Sequence, residues 1–152
     1  MAKRVLPITL LLALVLAAGA LAAGPLHGKT YKTTTPSSGY NSRNQKAGIS
    51  PVPMTLKVSG NGQTVTVHFG SATPLLYCGT NRLLQVQTTK AAKISHNGSF
   101  TAKIEEGFNK ATPGERAILQ VVTGTFSGHS VHGTIRTEAP PCGGYTNYSA
   151  RA

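Results

Sequence analysis

The sequence predicts an all-β fold, an antiparallel up-and-down meander of about eight strands that closes as a barrel or a sandwich. Three observations carry this. Beyond the first two dozen residues, apolar side chains recur at every second position. Asn-Gly and other glycine-containing turns interrupt that alternation at hairpin spacing. No segment of this region keeps a helical apolar period for more than a turn or two.

The elements follow in order. Gly28 to Thr35 is rich in Thr and Tyr and reads as a first strand. From Thr35 to Pro53 the chain turns to Ser, Gly, Asn, Gln and Lys, punctuated by Pro36, Pro51 and Pro53. That composition buries too little apolar surface to order itself, so a long polar loop is expected over 35–53. Met54, Leu56 and Val58 then alternate with Thr55, Lys57 and Ser59; Gly60-Asn61-Gly62 turns the chain into Val65, Val67 and Phe69. Leu84 and Val86 continue the pattern. Asn97-Gly98 separates a strand at Ala92 to Ser95 from Phe100, Ala102 and Ile104. Arg116 to Phe126 is a long strand that turns at Gly128-His129 into Val131, Gly133 and Ile135. Gly143-Gly144 reads as a turn and Tyr145 to Ala150 as the last strand. Thr112-Pro113-Gly114-Glu115 has the form of a capping box, but the β-branched run after it limits any helix to one turn.

The N-terminus has a different character. Lys3-Arg4, an apolar run from Val5 to Ala18, and small residues at Ala20 to Ala23 follow the order of a secretory leader. The expected organisation is a signal peptide at 1–23 and one all-β domain at 24–152, secreted and without a membrane span once the leader is removed. Lys3 and Arg4 would leave with the leader, so 13 basic residues would remain against 4 acidic, a formal charge of +9. Such a surplus favours anionic partners, either a cell-envelope polymer or lipid headgroups. Lys29, Lys32, Arg43 and Lys46, on the first strand and the polar loop, are the candidate anion contacts. Cys78 and Cys142 are the whole cysteine inventory, and in an exported protein an even count predicts a disulfide. Closing that loop would stabilise the fold by about 4 kcal/mol.

Most of the mature chain resembles small secreted actinobacterial-type all-β domains with one disulfide. The resemblance rests on Ile94 to Phe100, on Val122 to Gly128 followed by Gly133-Thr134-Ile135-Arg136, on Cys78-Gly79 and Cys142-Gly143, and on Gly28 to Tyr31. The chain departs from that pattern at Tyr148, where a tryptophan is usual, and in the length of the 35–53 segment. The resemblance implies fold and disulfide, and it brings no activity.

Tests for catalytic chemistry return little. The chain contains no aspartate, and its carboxylates are Glu105, Glu106, Glu115 and Glu138. Asp-based triads and calcium loops are thereby excluded. Glu105 and Glu106 are adjacent in a strand and so face opposite ways, which does not suit a glycosidase pair. His27, His68, His96, His129 and His132 have no neighbouring cysteine or carboxylate that would complete a metal set. The five tyrosines Tyr31, Tyr40, Tyr77, Tyr145 and Tyr148 are not interleaved with basic residues in any one strand, so nucleic acid is not expected as a partner. No catalytic residue, cofactor or metal is expected. The leading expectation is a monomeric, secreted, non-enzymatic binding or structural module with a basic surface. A barrel carrier of a small apolar ligand and a hydrolase with an unrecognised site are the alternatives.

Overall fold

The computed structural model describes residues 24–70, 88–106, 118–139 and 142–152. The leader, the Leu84 and Val86 segment, the capping-box segment and Glu115 lie outside them. Cys78 also lies outside, and although Cys142 opens a strand, the disulfide expected between the two falls outside what is described.

The described chain is all-β. Ten strands run in order: β1 (Thr30–Thr34), β2 (Ser38–Asn41), β3 (Lys46–Gly48), β4 (Pro53–Val58), β5 (Thr64–Phe69), β6 (Ala92–Lys93), β7 (Ser99–Glu106), β8 (Ile118–Ser127), β9 (Ser130–Ala139) and β10 (Cys142–Arg151). Eight form an antiparallel sheet in the order β6-β5-β4-β1-β10-β9-β8-β7. The two ends meet through the β6–β7 hairpin, where Ile94 bridges Phe100, so the sheet is nearly closed as a barrel. Apart from β2 and β3, which lie off this path so that β1 pairs with β4, sequential strands are neighbours around that barrel. The first and last come together where Lys32 pairs with Arg151.

Alternation places the core. Met54, Leu56 and Val58 of β4 and Val65, Val67 and Phe69 of β5 are buried, and their intervening residues face outward. The β4–β5 and β6–β7 turns share one chemistry. In each, a serine hydroxyl donates to an asparagine Oδ1 (Ser59 to Asn61, 2.6 Å; Ser95 to Asn97, 2.5 Å), and the next residue is a glycine at positive φ. Both turns fall where the Asn-Gly pairs predict them.

The centre of the barrel is aromatic. Phe126 stands 5.0 Å from the Tyr31 ring and 5.4 Å from the Phe100 ring, centroid to centroid. The buried Tyr31 places its hydroxyl at one end of the barrel. There it donates to the Gly128 carbonyl at 2.5 Å and accepts from Leu26 N at 2.9 Å, tying the N-terminal segment to the β8–β9 turn. Beside this cluster one inner row crosses four strands: Phe100, Gly124, Gly133 and Tyr148 are successive cross-strand partners. Gly124 leaves the room that the Phe100 and Tyr148 side chains occupy, Gly133 lets β9 lie close against the β8 backbone, and Tyr148 donates to the Thr123 carbonyl at 3.1 Å.

Two expectations are corrected. Gly143-Gly144 is not a turn. Both residues lie within β10, paired with Glu138 and Thr137 of β9, and the strand begins earlier than Tyr145. The 35–53 segment is not an open loop either. It folds back as the β2–β3 hairpin, with Ser38, Gly39 and Tyr40 opposite Gly48, Ala47 and Lys46. Its composition indeed supplies little core of its own. The hairpin instead borrows a partner, pairing Asn41 and Tyr40 with Gly144 and Tyr145 of β10. Thr35 anchors its base, where the buried hydroxyl accepts from Val52 N at 2.8 Å and its own N–H donates to the Val52 carbonyl at 2.9 Å.

Candidate functional site

The outer face over β1, β10 and the β2–β3 hairpin gathers the features that could meet a ligand. The hairpin tip is held by Asn41, whose Oδ1 accepts from Arg43 N at 2.9 Å and Gln45 N at 3.0 Å. Asn44 completes the turn in the left-handed region, which asparagine tolerates better than most residues. Arg43 is thereby displayed at the tip. Lower down, Gly39 allows the hairpin to lie against β10, since a Cβ there would stand 2.5 Å from the Tyr145 carbonyl oxygen. The Thr146 hydroxyl donates to the Ser38 carbonyl at 2.9 Å and fixes the same approach.

This docking creates a row no single strand contains. Arg136 pairs with Tyr145, Tyr145 with Tyr40, and Tyr40 with Lys46, each directly across a strand boundary. Four adjacent strands at about 4.8 Å spacing make that row about 14 Å long. The Tyr40 and Tyr145 rings stack at 5.4 Å and 25°. Tyr40 is 43% exposed, the one large hydrophobic side chain exposed among the described residues. Arg136 holds Glu138 at 3.3 Å in a surface ion pair and stays largely solvated. Such a pair contributes little to stability, about 0–1 kcal/mol, but it orients the guanidinium.

A second cationic spot lies farther along β10. Lys32 and Arg151 are exposed and directly opposed. Like charges in that position repel and are mildly destabilising. Lys57 of β4 is exposed on the neighbouring strand. From Tyr145 to Arg151 the strand runs about 20 Å. Together these groups form a cationic band down one side of the barrel.

The four anion contacts expected from sequence are therefore divided. Lys32 and Lys46 point outward on the band and Arg43 stands at its tip. Lys29 is exposed at the opposite end, beyond the start of β1. The sequence does not single out Arg136 and Arg151 as anion contacts, and it shows Tyr40 and Tyr145 in no pattern shared with basic residues of one strand. What unites them is the β2–β10 pairing, which joins segments far apart in sequence and leaves no local signal.

The other titratable groups do not converge. His68 Nδ1 lies 2.7 Å from the Thr88 hydroxyl, His129 sits in the β8–β9 turn, and His132 faces outward opposite Ser149. Glu105 and Glu106 are consecutive in β7. Among the described residues no group of three or more His, Cys, Asp or Glu could hold a metal ion. An open groove of about 1090 Å³ lies at the far end of the barrel, lined by His27, Gln63, Lys93, Ser95 and His96 among others. The His27 ring fills the place of a Gly62 Cβ there, which fits the turn glycine to this neighbour as well as to its positive φ.

Compared with protein-family models, with curated proteins and with solved structures, the chain matches none.

Proposed function

We propose that this chain is an exported, monomeric, non-enzymatic module, pinned by a Cys78–Cys142 disulfide, that binds an anionic polymer of the cell envelope along the band on β1, β10 and the β2–β3 hairpin. The observation that carries the reading is the alignment of Lys32, Lys46, Arg136 and Arg151 on one outer face, with Lys32 and Arg151 set directly against each other. That opposition costs stability in the free protein, and a polyanion laid across it would relieve the repulsion. The inner face supports an exterior site over a carrier cavity, because the Tyr31, Phe126 and Phe100 rings pack across it.

The test is binding of the mature protein to long-chain polyphosphate, with zwitterionic and anionic vesicles run beside it. Affinity is expected to fall steeply as salt rises, since screening shortens the reach of surface charge to about 10 Å at 0.1 M. Reversing Lys32 and Lys46 together (K32E, K46E) is expected to weaken binding at least tenfold, at about 1 kcal/mol for each cation near an anionic surface. Glu138→Gln frees Arg136 and is expected to strengthen it. Salt-independent binding, or a K32E/K46E variant that binds as well as the parent, would overturn the proposal. Binding to anionic vesicles alone would move the partner to lipid headgroups.

A further inference from the structure

The charged band explains attraction to a polyanion but leaves the tyrosine pair without a task. We infer that Tyr40 and Tyr145 form a stacking platform for a sugar ring, and that the polymer is an acidic polysaccharide whose carboxylates are carried on its pyranose rings. This rests on the reading of the basic face given above.

The platform is preorganised. The two rings stack on each other, and the hairpin bearing Tyr40 is fixed to β10 by backbone pairing, by the Gly39 contact and by the Thr146 hydroxyl. A ligand meeting this surface orders few side chains, so little of its binding free energy is lost to immobilisation. The exposed phenol ring of Tyr40 offers a π face to the C–H groups on one side of a pyranose, as aromatic rings do to any weakly positive edge.

The flanking charges select among anionic polymers. Lys46 and Arg136 each stand one strand spacing, about 4.8 Å, from a tyrosine in the same row. The carboxylate of a uronic acid is a direct substituent of its ring. A ring stacked on Tyr40 therefore places its charge beside Lys46, with Arg136 beyond Tyr145 in the same row. A polyphosphate carries charge but no face to stack. A nucleic acid has faces to stack, but a ribose separates each base from its phosphate, and its usual receptors repeat aromatic and basic residues along a groove. Here a single aromatic pair lies between two cations.

The experiment titrates the mature protein with oligogalacturonate, its methyl-esterified neutral form, polyphosphate and a single-stranded oligonucleotide. Tyrosine emission is a direct readout because the chain has no tryptophan. Oligogalacturonate is expected to bind tightest and to perturb that emission. Tyr40→Ala is expected to lower its affinity about tenfold while leaving polyphosphate binding unchanged, the size of effect a lost aromatic contact gives. Tyr40→Phe retains the face and is expected to bind as the parent does. A Tyr40→Ala variant that binds oligogalacturonate like the parent, or that loses both polymers equally, overturns the inference while the basic face stands. Tightest binding to the oligonucleotide, abolished by Tyr40→Ala, overturns it in favour of nucleic acid. Binding to none of the charged polymers overturns the basic-face reading and this inference with it.

Discussion

Gly133→Ala is expected to destabilise the fold by about 3 kcal/mol or more, because the space its methyl would need is held by backbone. A Cβ at Gly133 would fall on the Thr123 carbonyl oxygen and within 2.8 Å of the Gly124 Cα. Those atoms belong to the paired strand β8, so relief requires β8 and β9 to move apart across a ladder that joins them along their length. Gly124→Ala is a control on the same row. Its methyl would meet the Phe100 ring at 2.6 Å and the Tyr148 hydroxyl at 2.7 Å, side-chain atoms rather than backbone. A smaller loss, about 1–2 kcal/mol, is expected there. Urea unfolding of the three proteins, read from midpoints at constant slope, measures both. A Gly133→Ala protein within 0.5 kcal/mol of the parent would contradict the packing assigned to this row.

Tyr148 should make stability fall at alkaline pH. Burial pushes its hydroxyl well above the ordinary phenol range, and the group donates to the Thr123 carbonyl. The folded protein therefore keeps a proton that the unfolded chain gives up at about pH 10. Below that pH both states are protonated and the full stabilisation is present. As pH rises past it only the unfolded state ionises, so stability falls, by up to about 1.4 kcal/mol per pH unit, until the folded group also titrates. Tyr148→Phe loses the hydrogen bond and is expected to be about 1 kcal/mol less stable at pH 7. It has nothing to ionise, so the gap between the two proteins should close and then reverse above pH 10. Chemical unfolding from pH 7 to 11 follows this. A gap that stays constant across the range would mean the phenol titrates alike in both states.

How far the sequence could be read depended on whether the deciding interaction was local. The β4–β5 hairpin was legible because Met54 to Phe69 carries both halves of its pattern, alternating apolar residues and an Asn-Gly turn, within one short stretch. The β6–β7 turn at Asn97-Gly98 was legible for the same reason. The choice of barrel over sandwich was not, because it depends on the β6–β7 closure and on Lys32 meeting Arg151. The 35–53 segment misled because a polar composition shows what a segment lacks, and says nothing of the strand it can lean on. Gly143-Gly144 misled in the same way. A glycine pair resembles a turn until its strand is seen between β9 and β2. The candidate face was half legible. Charge singled out Lys32, Arg43 and Lys46, but Arg136, Tyr145 and Tyr40 join them only through register.

That register also makes the central claim directly measurable. Amide shifts of isotope-labelled residues 24–152 can be followed by nuclear magnetic resonance during titration with polyphosphate or oligogalacturonate at low salt. With oligogalacturonate the largest changes are expected at Tyr40, Lys46, Arg136 and Tyr145; with polyphosphate they are expected at Lys32, Lys46, Arg136 and Arg151. Changes concentrated instead on His27, Lys93 and His96 at the far groove, with the β10 face silent, would contradict the assignment of the binding surface.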